Sequence, residues 1–333
     1  MIFSIMKKDI ADKLQYLMNV IPSRSNMMVL SNFMLDADSE TNIVTITATD
    51  LNITTIIKIE ANVVESGKIL VSARQLSEII GSLPEKIINF SIREDAFVIE
   101  CANSNFTINF LEASLFPEIA FIENLNEYII NAQYFKKLIQ NTAFCVASES
   151  IQSICNGIYL KIEDNLITMA GTDTKRIGEA KLTTNFTVEE PYEIVLPPRA
   201  LNFIEKNIHN DSEDIIVKFD HRKISFYLKN ILLISNKYEG KFPNYVVAFK
   251  QQPETELKID KNALKDAIRR VSLLSEDEDK LIRIFIKHNE VMVETLVSDR
   301  GNAKELITDV VYDGEDSIFC LNSRLLSGFV GAI

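Results

Sequence analysis

The chain has 333 residues, 47% apolar and 25% charged, with a formal charge of −12 at neutral pH. These are ordinary globular proportions, and no run of about 18 apolar residues marks a membrane-spanning helix. The acidic balance excludes a plainly basic nucleic-acid binder, so either nucleic acid is not the partner or the positive charge is sorted onto one surface.

The start, Met1-Ile2-Phe3-Ser4-Ile5-Met6-Lys7-Lys8, lacks the long apolar centre and small-residue cleavage site of a signal peptide. Ile10, Leu14, Leu17 and Ile21 then make an apolar stripe at helical period. The alternation of Ile43-Val44-Thr45-Ile46-Thr47-Ala48 predicts a strand running into a turn at Thr49-Asp50. Ser72 with Gln75 three residues on reads as a capping box and starts a second helix, in which Arg74 is the second residue.

The same order returns twice. Phe135, Leu138, Ile139 and Val146 form the next stripe, Leu166-Ile167-Thr168-Met169-Ala170 the next strand, and Thr172-Asp173 its turn. Pro198 suits a first helical position, where a missing N–H costs nothing, and Arg199 follows it. Leu264, Ile268, Val271 and Leu274 open a third copy, with the strand Val291-Met292-Val293-Glu294-Thr295, the turn Ser298-Asp299, a helix cap at Asn322 and then Arg324. The arginines at 74, 199 and 324 are 125 residues apart. The phrases Glu112-Ala113-Ser114-Leu115-Phe116-Pro117 and Glu239-Gly240-Lys241-Phe242-Pro243 close the first two copies, and polar links at 123–127 and 250–255 follow them. The reading is an α+β protein of three repeated domains, 1–124, 125–251 and 252–333, each of antiparallel sheets with two amphipathic helices on one face. The third is incomplete after its second helix.

Charge is unevenly distributed. The six helical stretches carry +7 and the remainder −19, which chance allows and which also suits helices sharing a surface toward a polyanion. The repeated arginine sits near the positive end of a helix dipole, a cost of roughly 0.3–1 kcal/mol. Two groups can offset it: the recurrent aspartate of the same copy (Asp50 with Arg74, Asp173 with Arg199, Asp299 with Arg324) or a phosphate. One guanidinium has donors enough for both.

Catalytic signatures are absent from the sequence. No phosphate-binding glycine loop, H-E-x-x-H or G-x-S-x-G elbow occurs. His209, His221 and His288 stand singly, and Cys101, Cys145, Cys155 and Cys320 form no C-x-x-C pair. The acidic run at 276–279 lacks the alternating ligands of a calcium loop. No catalytic residue, metal site or cofactor is expected.

Thr172-Asp173-Thr174-Lys175-Arg176-Ile177 resembles the A-T-D-x-x-R-L stretch of the bacterial DNA polymerase III β subunit (sliding clamp) family. Tyr238-Glu239-Gly240-Lys241-Phe242-Pro243-Asn244-Tyr245 is similar to its E-G-x-F-P-x-Y stretch, and Leu196-Pro197-Pro198-Arg199-Ala200-Leu201 to its V-P-x-[KR]-x-L. The resemblance runs through all three copies. It implies a non-catalytic, cytoplasmic, nucleoid-associated processivity factor: a head-to-tail homodimer closed around duplex DNA, with helices inside. Twelve helices side by side at roughly 8–10 Å give a circle of about 100–120 Å through their axes, wide enough for a duplex. Implied partners are double-stranded DNA of any sequence, the polymerase III catalytic subunit, the clamp loader and repair polymerases, with no membrane.

Site residues follow from the same resemblance. Arg24, Arg74 and Arg199 match DNA-facing positions, and helix placement adds Lys137, Lys206 and Arg269. A partner-peptide pocket would include Cys155, Thr172, Thr174, Lys175, Arg176, Ile177, Pro243 and Val247, with Thr174-Lys175 in place of the family's commoner Gly-His. Phe106 and Ile108 would meet Leu273 and Leu274 of a second subunit across the dimer seam, with Lys304 and Glu305 flanking it; ordinary core positions are the other reading of Phe106 and Ile108. Against the family pattern, three strands and a short tail, about 35 residues by comparison with the other copies, are expected beyond Ile333. That departure leaves open a clamp-derived, non-replicative scaffold or a partly disabled paralogue. An enzyme on repeated domains lacks any catalytic constellation to support it.

Overall fold

The computed structural model describes residues 1–22, 26–123, 126–146, 153–209, 213–250, 255–275, 280–296 and 301–332. The first copy runs β1 (Ile2–Met6), α1 (Lys7–Met18), β2 (Asn32–Asp38), β3 (Ile43–Thr49), β4 (Ile53–Glu60), β5 (Asn62–Glu65), β6 (Gly67–Ser72), α2 (Ala73–Ser82), β7 (Ile87–Arg93), β8 (Ala96–Cys101), β9 (Ser104–Ile108) and β10 (Phe110–Glu112). The second runs β11 (Tyr128–Asn131), α3 (Ala132–Ala143), β12 (Ile158–Glu163), β13 (Leu166–Thr172), β14 (Ile177–Thr183), β15 (Tyr192–Leu196), α4 (Pro198–Asn207), β16 (Asp214–Phe219), β17 (Lys223–Leu228) and β18 (Ile231–Asn236). The third runs β19 (Leu257–Ile259), α5 (Lys261–Val271), β20 (Leu281–Lys287), β21 (Glu290–Thr295), β22 (Lys304–Ile307), β23 (Val310–Tyr312), β24 (Ser317–Asn322) and α6 (Ser323–Ala332).

The helix starts follow from local chemistry. The Ser72 hydroxyl accepts from the Gln75 amide at 3.4 Å, Asn131 Oδ1 from Gln133 at 3.1 Å, Asp260 Oδ1 from Ala263 at 2.8 Å and Asn322 Oδ1 from Arg324 at 2.9 Å. Each satisfies an amide that the first helical turn leaves open. Two predicted stripes outrun their helices. Ile21 lies beyond α1 because Pro22 disfavours helical backbone in the residue before it. Leu274 lies in a 3-10 turn, Ser272–Leu274, after α5.

Hairpins repeat as closely as helices do. Asn42, Asn165 and Asn289 have φ of 57°, 56° and 56°, each immediately before the second strand of its hairpin. Asparagine visits this left-handed region more readily than most residues.

All sheets described are antiparallel. A nine-stranded sheet has the order β10-β6-β2-β3-β4-β18-β17-β16-β11. It joins the first two copies where β4 pairs with β18, Ile57 opposite Ile231. A five-stranded sheet is ordered β5-β1-β7-β8-β9, and four-stranded sheets β14-β13-β12-β15 and β22-β21-β20-β24. Alternation sets their faces: Phe33, Leu35 and Ala37 of β2 are buried while Met34, Asp36 and Asp38 are half-buried. The helices bury one stripe each, Ile10, Leu14 and Leu17 in α1, Leu76 and Ile80 in α2, and Ala267, Ile268 and Val271 in α5. Phe3, Phe90 and Phe97 stack in the first core with centroids 4.6 and 5.8 Å apart.

By packing, the chain forms two compact units. One comprises Met1–Ile139, Asn156–Met169 and Lys181–Gly240; the other comprises Gln140–Cys155, Ala170–Ala180 and Lys241–Ile333.

Candidate functional site

The recurrent aspartate builds a turn. Between β3 and β4, Asp50 Oδ1 accepts the Asn52 and Ile53 amides at 3.0 and 2.7 Å, and the Thr49 hydroxyl donates to the Ile53 carbonyl at 3.1 Å. Between β13 and β14, Asp173 Oδ1 accepts the Lys175 and Arg176 amides at 3.0 and 2.9 Å, and the Thr172 hydroxyl donates to the Arg176 carbonyl at 2.7 Å. Leu51 and Thr174 hold the same left-handed position, φ 74° and 72°. Thr-Asp therefore recurs because both side chains tie down one tight turn.

The second oxygen of each aspartate takes a guanidinium, but not the one expected within the copy. Asp50 Oδ2 accepts from Arg199 Nη2 at 2.8 Å, and the same nitrogen donates to the Val20 carbonyl at 3.1 Å. Asp173 Oδ2 accepts from Arg176 Nε at 3.0 Å. Arg74 pairs with Glu78 at 2.9 Å, one turn along its own helix, the i,i+4 spacing at which helix side chains meet. The pairs Asp50–Arg74 and Asp173–Arg199 are thus replaced, and Asp299 lies outside the described residues.

The eight residues expected in a partner-peptide pocket fall on three segments of one compact unit. Cys155 is fully buried, and that burial raises its thiol pKa. Thr172 is buried and spends its hydroxyl on the turn, while Thr174 and Lys175 project into solvent. Arg176 is half-buried, stands 5.4 Å over the Phe144 ring and donates from Nη1 to the Leu325 carbonyl at 3.4 Å. Ile177 and Pro243 are half-buried, and Val247 is exposed beside exposed Val246 and Phe249. Tyr245, which the sequence marked only as part of a motif, donates its hydroxyl to Glu179 at 3.0 Å. Phe144 and two glycines went unmarked. A Cβ on Gly171 would stand 2.5 Å from the Thr142 carbonyl oxygen, and one on Gly178 would stand 2.8 Å from that of Asn141. The backbone at the end of α3 approaches β13 and β14 that closely.

The helix cations Arg74, Lys137, Arg199, Lys206 and Arg269 are all exposed, while their neighbours Leu76, Leu138, Ala200, Phe203 and Ile268 are buried. Arg269 carries a partner one turn back, Asp266 at 3.4 Å. Arg24 lies outside the described residues. Among the described residues no group of three His, Cys, Asp or Glu is placed to hold a metal ion, and no helix is long and apolar enough to cross a membrane.

Phe106 and Ile108 are half-buried on β9, the edge strand of its sheet. Leu273 is 73% exposed and Leu274 half-buried. Their flank is held by charge: Arg270 Nε donates to Glu305 Oε2 at 2.8 Å, and Lys304 meets Glu294 at 2.9 Å. The Arg270 hydrogen bond holds the Glu305 carboxyl below its ordinary pKa.

Three family models match the chain in order. The DNA polymerase III beta subunit N-terminal domain matches residues 1–120, the central domain 129–244 and the C-terminal domain 248–333. A beta sliding clamp of Chlamydia muridarum is 24% identical over 318 residues, 94% of this chain and 85% of that protein. That of Bacillus subtilis is 23% identical over 323 residues, with the same coverage, 94% and 85%. In three dimensions the chain resembles a DnaN sliding clamp of Pseudomonas aeruginosa, solved bound to griselimycin. The TM-score is 0.93 at 22% identity, over 100% of this chain and 90% of that one.

Proposed function

The chain belongs to the DNA polymerase III beta subunit family, and from that premise we propose that it is a DNA sliding clamp, a non-catalytic accessory subunit that gives the replicative polymerase its processivity. The observation that carries this is the ordered match of all three family domains, over 1–120, 129–244 and 248–333. The domain limits we assign are 1–124, 125–251 and 252–333.

In this reading two chains close head to tail around duplex DNA at the nucleoid. Retention comes from topology, so contacts with phosphate can be weak, independent of sequence and salt-dependent. Arg24, Arg74, Lys137, Lys206 and Arg269 supply positive charge toward DNA. Arg199 shares that task with its bond to Asp50, since a guanidinium has five donors and its side chain is 52% exposed. The acidic remainder repels DNA from other surfaces. Phe106 and Ile108 on the β9 edge meet Leu273 and Leu274 of the other subunit.

Polymerase, clamp loader and repair polymerases dock through short peptides at Cys155, Thr172, Thr174, Lys175, Arg176, Ile177, Pro243 and Val247. Exposed Val247 offers apolar contact there. The Asp173–Arg176 pair holds the turn that presents Thr174 and Lys175.

Primer extension on a singly primed circular template tests the role, with polymerase III catalytic subunit and clamp loader present. Product length is expected to rise by an order of magnitude when the chain is added. Unchanged lengths across saturating concentrations of the chain would refute it.

A further inference from the structure

Within the chain the first two copies join where β4 pairs with β18, and Ile57 of β4, opposite Ile231, is fully buried there. β22 and β9 hold the matching places in their own copies: β22 follows β20 and β21 as β4 follows β2 and β3, and β9 follows β7 and β8 as β18 follows β16 and β17. Each ends its sheet with one edge open among the described residues. An open edge is a template for a further strand, so the two suit each other across the subunit seam proposed above, on which this inference rests.

The match breaks at one position. Val44 faces Ile59 between β3 and β4, and Val291 faces Ile307 between β21 and β22. Glu305 therefore stands where Ile57 stands, two residues before a buried isoleucine. Side chains two apart share a face, which sets a carboxylate on the core side of β22. Its side chain is still 26% exposed. Arg270 of α5 grips it with a fork, Nε donating to Oε2 at 2.8 Å and Nη2 to Oε1, the strong geometry for such a pair. Asp266 Oδ2, on the same helix, is a looser neighbour of Arg270 at 3.8 Å. The apolar stripes Ile10, Leu14, Leu17 and Leu264, Ile268, Val271 align α1 with α5, so Arg270 corresponds to Tyr16. Tyr16 and Ile57, the counterparts of the pair at the first join, are uncharged.

We infer that Arg270 is a positioning residue of the seam: it neutralises and holds Glu305, a carboxylate that becomes buried when β9 of a second copy closes on β22. A carboxylate already paired can be covered, whereas one buried without its guanidinium is costly. The pair also ties the end of α5 to β22, three residues from Leu273, which is 73% exposed.

Sedimentation of the full chain over about 0.01–50 μM measures the Kd of its dimer. Arg270→Met should raise that Kd at least about tenfold. Adding Glu305→Ile, the residue type found at Ile57, should return it to within about threefold of the natural value, because the orphaned charge is then gone. In a chain whose seam is broken by Ile108→Asp, Arg270→Met should shift the thermal midpoint by less than about 2 °C, since the pair there stays at the surface. An unchanged Kd for Arg270→Met would overturn the inference and leave the seam standing. So would a weakened dimer that Glu305→Ile does not rescue, the mark of a cation acting on its own, or a larger midpoint shift in the Ile108→Asp chain, the mark of a role inside one subunit. A natural chain that sediments as a monomer throughout would overturn the seam and this inference together.

Discussion

Arg199 donates to the Val20 carbonyl and to Asp50 from the second position of α4, and those bonds offset the unfavourable helix dipole at that position. Arg199→Ala is expected to lower the unfolding free energy by about 1–2 kcal/mol. Arg74→Ala, which breaks only a surface i,i+4 pair, should cost less than about 0.5 kcal/mol. Urea denaturation of the two variants checks both. The recurrence of these arginines was legible in sequence, but their partners were not. Asp50 lies 149 residues from Arg199, a distance over which spacing carries no information about contact. Cys145 gives a pH test. Burial is the main cause that pushes its thiol up to about 11 from the ordinary 9.0. The unfolded chain loses that proton first, so from pH 9 to about 11 the folded state binds more protons and stability falls as pH rises. A decline of about 1–2 kcal/mol across that window, missing in Cys145→Ala, is the expected result.

Among the elements, helix starts were the most legible, because a cap is a contact over two or three residues: Ser72 and Asn322 each bind an amide within that reach. The Thr-Asp turns at 49–50 and 172–173 were visible for the same reason. The β4–β18 join was not, since strands with one alternation pattern leave open which edge they meet. Close backbone approaches were equally hidden. Gly171→Ala would put a methyl 2.5 Å from the Thr142 carbonyl oxygen, and thermal melts should show a loss of about 1–3 kcal/mol. Thr55 offers the opposite case. It is fully buried on β4, with a hydroxyl that finds no partner among the described residues. Thr55→Val removes that orphaned group at nearly constant volume, so melts should show stability unchanged or raised by about 1 kcal/mol.

At the scale of the whole molecule, a chain of net charge −12 handles a polyanion only if charge is sorted and the hold is topological. The three copies were legible as a 125-residue spacing of arginines and as recurring phrases, because a repeat shows in sequence wherever each copy must cap, turn and pack alike. The peptide pocket and the subunit seam we propose rest on residue type rather than on arrangement, for both depend on partners that the sequence does not contain. The direct measurement is retention on DNA after loading by a clamp loader, comparing a nicked circular plasmid with the same plasmid cut once. A threaded ring stays on the circle for many minutes in about 0.5 M salt and runs off the linear form within seconds, since salt screens phosphate contacts but does not open a ring. Equal retention on both forms, or equal loss from both in salt, would contradict it.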